Sequence, residues 1–170
     1  MVHFSENFCT FLAHRSNAQD KALIGDNAPY FGVDDAALID GIRKVGKRTP
    51  IVASVCTGAA LIARAGLLDG MKATTNKTAW NWVTGSGYGK GVHWVCPPRW
   101  VDCIDPVSLQ GCITSGGVSA GTDMALGLIN KLDGRQVVDN TMVLMEYSWN
   151  EDPEQDDFRY ICPCSNDNSL

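Results

Sequence analysis

Apolar and polar positions along this chain follow two periods. Short runs rich in β-branched or small apolar residues have the length of strands: Lys21-Ala22-Leu23-Ile24-Gly25, Ile51-Val52-Ala53-Ser54-Val55, residues 92–95, residues 100–104, and Cys112-Ile113-Thr114-Ser115. Ala73-Thr74-Thr75 is a shorter strand candidate. Between these runs the spacing changes to three and four. Leu38, Ile39, Ile42 and Val45 share one helical face, with Asp34 or Asp35 as the cap and Thr49-Pro50 as the stop. Further helices are predicted after Cys56 up to the Gly66–Gly70 turn, over 78–83 with Trp80 and Trp82, and from Ser119 or Ala120 to about Leu132. A last amphipathic helix is predicted over 134–148, with Val137, Val138, Met142, Met145 and Tyr147. Phe4, Phe8, Phe11 and Leu12 share a face, so residues 4–14 read either as a short helix or as a docked N-terminal arm. The acidic, polar tail from Asn150 is expected to fray.

Strands alternating with helices predict a parallel α/β sheet with helices on both faces. In such sheets ligands bind at the carboxyl ends of the strands. That rule brings together three loops, at 26–29, 56–59 and 115–121.

Composition narrows the function classes. The chain has 170 residues, enough for one domain with a real core, and 45% of them are hydrophobic. A net charge of −5 argues against an electrostatic nucleic-acid surface. No apolar run approaches a membrane span, and no secretory signal is visible, so the expectation is a cytoplasmic protein without membrane contact. Seven cysteines at wide spacing then read as reduced thiols. Cys162-Pro163-Cys164 is too tight for a zinc half-site and reads as two exposed tail thiols; no metal is expected.

The strongest chemical signal is Cys56. A buried strand leads into it, and Thr57-Gly58-Ala59-Ala60 leads out into a helix. A cysteine on that junction sits at a sharp turn, with its sulfur towards a helix N-terminus whose unpaired N–H groups favour a thiolate. Gly58 lets the backbone turn and lets a ligand approach. An isolated strand cysteine is more often packing; here the glycine, the small flanks and the strand–helix switch agree on a nucleophile. Gly116-Gly117-Val118-Ser119-Ala120-Gly121 is a second strand-to-helix loop, readable as a pocket wall or as a tight packing turn. Trp80, Trp82, Trp94 and Trp100 read either as the lining of an apolar pocket or, for most of them, as core or dimer-interface packing, and that apolar area is one reason to expect a dimer. Nothing ties His93 to Cys56.

Several motifs in order resemble the ThiJ/PfpI superfamily, of the class I glutamine-amidotransferase-like fold. They are Ser54-Val55-Cys56-Thr57-Gly58-Ala59, Ala65-Gly66-Leu67-Leu68-Asp69-Gly70, Ala73-Thr74-Thr75-Asn76-Lys77-Thr78-Ala79-Trp80, Thr114-Ser115-Gly116-Gly117-Val118-Ser119-Ala120-Gly121-Thr122-Asp123-Met124 and Met145-Glu146-Tyr147. The Cys-Thr-Gly form is similar to isonitrile hydratases and to sensor domains of some AraC-type regulators. The likeness covers roughly residues 22–160. It implies one flavodoxin-like domain over 1–170, with 1–21 a divergent arm and 150–170 a polar tail. It also implies a homodimer and a small-molecule substrate, with no metal or organic cofactor.

By that resemblance Cys56 is the nucleophile, attacking an isonitrile carbon, and water resolves the adduct to a formamide. Thr57 helps hold the reacting group through its hydroxyl and backbone N–H. Gly58, Asn27, Gly116, Gly117, Val118 and Ser119 are the candidate substrate contacts. The chain departs from the family in three places, one of them at the position after Thr75, often His in relatives and here Asn76. The usual first strand, which ends in an acidic residue, has no match before Lys21. The family's Pro-Gly-Gly loop corresponds to Gly25-Asp26-Asn27, so Asp26 is a candidate acid that the motif itself does not assign. A missing strand leaves a sheet edge that the arm or a second subunit must cover. Two readings stand: a cysteine-dependent enzyme of the isonitrile hydratase type, or a non-catalytic ligand-binding or redox-sensing protein that keeps the turn.

Overall fold

Residues 51–56 are apolar towards both faces, and they form the central strand of the sheet. In the computed structural model, which describes residues 12–16, 19–26, 33–85 and 87–163, the first two segments are described by their backbone alone. Five strands form one sheet among the described residues: β1 (Leu12–Ser16), β2 (Gln19–Asp26), β3 (Ile51–Cys56), β6 (Trp100–Asp102) and β7 (Gly111–Ser115). Their order is β1-β2-β3-β7-β6. The inner strands β2, β3 and β7 run parallel, and the two outer strands are antiparallel to their neighbours. A small parallel pair, β4 (Lys72–Ala73) and β5 (His93–Trp94), stands apart. The sheet is therefore mixed, with the expected parallel part at its centre.

The arm supplies the cover that the sequence reading required. Leu12–Ser16 pairs antiparallel with β2, so residues 12–14 are strand and not the end of a helix. Residues 1–11 of the suggested 4–14 helix lie outside the described residues.

Helices α1 (Ala36–Gly46), α2 (Gly58–Arg64), α3 (Trp80–Gly85), α4 (Val118–Asp133) and α5 (Arg135–Met145) fall close to their predicted places. Asp35 caps α1 by accepting from the backbone N–H of Ala37 and Leu38 at 2.9 and 3.1 Å. Ile39 and Ile42 are buried, while Leu38 and Val45 flank that face and stay partly exposed. The pleat of β3 divides the core. Val52 packs with α1 and α2 on one face, through Ile39, Ile42, Leu61 and Ile62. Ile51 and Ala53 pack with Ile113, Trp100 and Met124 of α4 on the other.

The tail differs most from expectation. Residues 150–163 do not fray but fold back across the carboxyl end of the sheet. Arg99 N donates to Pro153 O at 2.7 Å, and Lys77 and Asp156 form a buried ion pair at 2.6 Å. A 3-10 turn at Arg159–Ile161 leads to Cys162, which is disulfide-bonded to Cys96. The expectations of seven reduced thiols and of exposed tail thiols at 162 and 164 therefore fail at Cys96 and Cys162; Cys164 lies outside the described residues. The physical reason is local. Cys96, Cys162 and Trp80 form one buried cluster, against which Trp94 packs edge-to-face with Trp80 at 6.3 Å.

Candidate active site

β3 ends on Cys56 and α2 starts at Gly58, so one residue must turn the chain from strand to helix. Cys56 takes the strain, with φ at 61°, in the left-handed region. For a non-glycine residue that conformation costs about 1–3 kcal/mol and persists only where the surroundings enforce it. Here they do. Thr75 Oγ1 donates to the Cys56 carbonyl at 3.0 Å, and the Thr75 side chain is fully buried. On the other side of β3, Gly121 lets α4 press against Val55. A Cβ at Gly121 would lie 2.7 Å from Val55 Cγ1.

The sulfur has a defined partner. Asn76 Nδ2 donates to Cys56 Sγ at 3.2 Å. The orientation of that amide is fixed by its other end. Asn76 Oδ1 accepts from Thr78 N at 2.9 Å, Thr78 Oγ1 at 2.6 Å and Ala79 N at 3.1 Å. An oxygen so committed leaves the NH₂ group to face the sulfur. The group against Sγ is therefore a donor that stabilises a thiolate and cannot take a proton from a thiol. Sequence reasoning left Asn76 out of the site. Its signal was the Asn-x-Thr spacing ahead of a helix, the pattern of a side chain that caps a turn.

Of the expected site residues, Thr57 and Gly58 are buried beside Cys56 at the start of α2. Asp26 is opposite Cys56 in the parallel β2–β3 register, placed there by the backbone. Asn27 lies outside the described residues. Gly116 backs onto Lys77, its Cβ direction ending 3.2 Å from Nζ. Gly117 and Ser119 line a cleft of about 190 Å³ together with Asn76, Lys77, Arg99 and Phe158. Val118 points to solvent and is 64% exposed. His93 is exposed on β5, apart from the site. Among the described residues, no group of three or more His, Cys, Asp or Glu side chains could hold a metal ion.

Two buried cations support the cleft. Lys77 Nζ bonds Asp156 and donates to Pro98 O at 2.9 Å. Arg99 pairs with Asp123, whose side chain is 1% exposed. Asp123 also accepts from Tyr147 Oη at 3.0 Å and Asn150 N at 3.0 Å, so one carboxylate ties α4 to the segment that follows α5. Burial pushes the Tyr147 hydroxyl above its usual range, and its bond to Asp123 adds to the shift. The other described free thiols are differently placed. Cys112 donates to Leu67 O at 3.3 Å, and burial, with Cys103 second, pushes its pKa up to about 12. Cys103 donates to Lys72 O at 3.3 Å.

No family profile matches the chain. It is 31% identical over 118 residues to an isonitrile hydratase of Pseudomonas putida, a stretch covering 68% of this chain and 46% of that protein. A ThiJ/PfpI family protein of Pseudomonas syringae superposes with a TM-score of 0.60 at 25% identity, over 78% of this chain and 51% of the other. An AraC family transcriptional regulator of Pseudomonas putida shares the fold, with a TM-score of 0.55 at 13% identity over 74% of this chain and 63% of its own. The chain thus spans about half the length of the hydratase and of the Pseudomonas syringae protein. Residue identity and backbone superposition point the same way: the chain belongs to the ThiJ/PfpI superfamily.

Proposed function

We propose that the protein hydrates an isonitrile to an N-substituted formamide through Cys56. One observation carries this reading: the strained Cys56 turn presents its sulfur to the committed amide of Asn76, a donor suited to a thiolate. The 31% identity to an isonitrile hydratase supports the choice of reaction.

The steps balance as follows. The Cys56 sulfur bonds to the isonitrile carbon while a proton is delivered to that carbon, giving a thioimidate, R–N=CH–S–Cys56. Water adds to the same carbon. One proton of that water goes to the nitrogen; the C–S bond then breaks, its electron pair returns to sulfur, the hydroxyl proton returns to the group that supplied the first proton, and R–NH–CHO leaves. Asn76 Nδ2 stabilises the sulfur anion at the start and again as it is expelled. Thr57, buried next to the nucleophile, offers its hydroxyl and backbone N–H to the oxygen that water brings. Asp26, opposite Cys56 in the strand register, is the candidate source of the proton. The reading includes a homodimer.

The test is formamide production from cyclohexyl isonitrile. Asp26→Asn is expected to lose most of the rate, and Thr57→Val to lose less because its backbone N–H remains. Full activity in Asp26→Asn would move proton delivery to another group. No formamide from the wild-type protein would remove the hydratase reading.

A further inference from the structure

We propose that residues 153–162 form a specificity wall for the Cys56 site, in which Phe158 and Ile161 select substrates carrying an aryl or bulky alkyl substituent. The inference rests on the reading of Cys56 as nucleophile and deepens it by naming the substituent.

A continuous set of contacts leads from the sulfur to the wall. Asn76 touches Cys56 Sγ and also lines the cleft. Its chain neighbour Lys77 lines the same cleft and is paired with Asp156 at 2.6 Å, both side chains being buried. The second oxygen of Asp156 accepts from Phe158 N at 2.9 Å. One carboxylate therefore anchors the segment beside the nucleophile and fixes the turn that presents Phe158. Two further ties hold the ends: Pro153 O on Arg99 N, and the Cys162 disulfide to Cys96.

The chemistry of the lining indicates what it selects. The two cations on the floor, Lys77 and Arg99, each face a buried carboxylate, so an ionic substituent would find the opposite charge already matched. Ala120, Phe158 and Ile161 supply the apolar lining. Phe158 is 53% exposed, an aromatic ring left facing solvent at the cleft although its backbone is pinned. A half-exposed ring on a pinned backbone gains contact when an apolar group enters beside it.

The experiment uses the full chain and two alkylating probes, iodoacetamide and N-phenyliodoacetamide. Labelling of Cys56 is followed by peptide mass, and each rate is divided by that of the same reagent with glutathione. The wild-type ratio of aryl to plain reagent is expected to exceed one by about tenfold, the usual scale of discrimination by an apolar pocket. It should fall towards one in Phe158→Ala and recover in Phe158→Leu. An equal ratio in wild type and Phe158→Ala overturns the wall. So does a Cys56 that neither reagent labels, since the cleft would then not lead to the sulfur. Neither probe requires hydration. A protein with the aryl preference and no formamide production keeps the wall and loses the hydratase reading; formamide production without the preference does the reverse.

Discussion

Cys56 and Asn76 form the smallest unit that accounts for the site. The cysteine was legible in the sequence because its neighbours on both sides announce a strand-to-helix turn. Asn76 was not, because its role depends on three acceptor contacts within 76–79 and on a sulfur 20 residues earlier in the chain. A donor to an ionised sulfur is worth the energy of a charge-assisted hydrogen bond. Asn76→Ala is therefore expected to slow Cys56 alkylation and hydration by about 10- to 100-fold. Unchanged rates would show that the contact has no part in activation. Cys112 gives a second prediction at this scale. Its folded thiol keeps a proton up to about pH 12, whereas an unfolded thiol ionises near 9.0. The native state then binds the extra proton between those values, so stability is complete below pH 9 and falls as pH rises towards 12. Thermal unfolding from pH 8 to 11 should show that decline, and Cys112→Val should make it shallower. An equal slope in both proteins would contradict the assignment.

At the scale of elements, periodicity located α1, β3, β7, α4 and α5 to within a few residues, because each carries its own apolar pattern. The tail had no such pattern. Asp156 and Cys162 bind partners 79 and 66 residues away, and a polar, acidic composition conceals pairings of that kind. Cys162→Ser is expected to lower stability by about 2–4 kcal/mol, the usual contribution of a disulfide. Urea unfolding, with a linked 96–162 peptide sought by non-reducing mass spectrometry, checks both parts. A wild-type protein with free thiols at 96 and 162 would contradict the tail's anchoring. Asp123→Asn should cost about 3–5 kcal/mol, because it leaves the buried Arg99 guanidinium without its charge partner. A loss under about 1 kcal/mol, the scale of an exposed pair, would mean that the Arg99–Asp123 pair is not buried as described.

For the whole molecule, two reasons for expecting a dimer are met within the chain. β1 covers the outer edge of β2, and Trp80 and Trp100 pack inside. Among the apolar side chains that stay exposed are Val143 and Leu144 at the end of α5, at 79% and 86%. Light scattering is expected to give about twice 18.4 kDa, and a monodisperse monomer would assign that surface to solvent. The fold as a whole was legible because separated motifs occur in the right order. The reaction was less so, since the acid was sought at a strand end with no match and the sequence offered Asp26 only as a candidate, which the β2–β3 register sets opposite Cys56. The central claim is that Cys56 performs the chemistry, and the direct measurement is formamide formed from cyclohexyl isonitrile by wild-type and Cys56→Ser proteins side by side. The account predicts steady formamide production by the wild type and none above the uncatalysed background with Cys56→Ser, whose hydroxyl stays protonated beside a donor amide. Equal formamide production by the two proteins, or none by either, would contradict it.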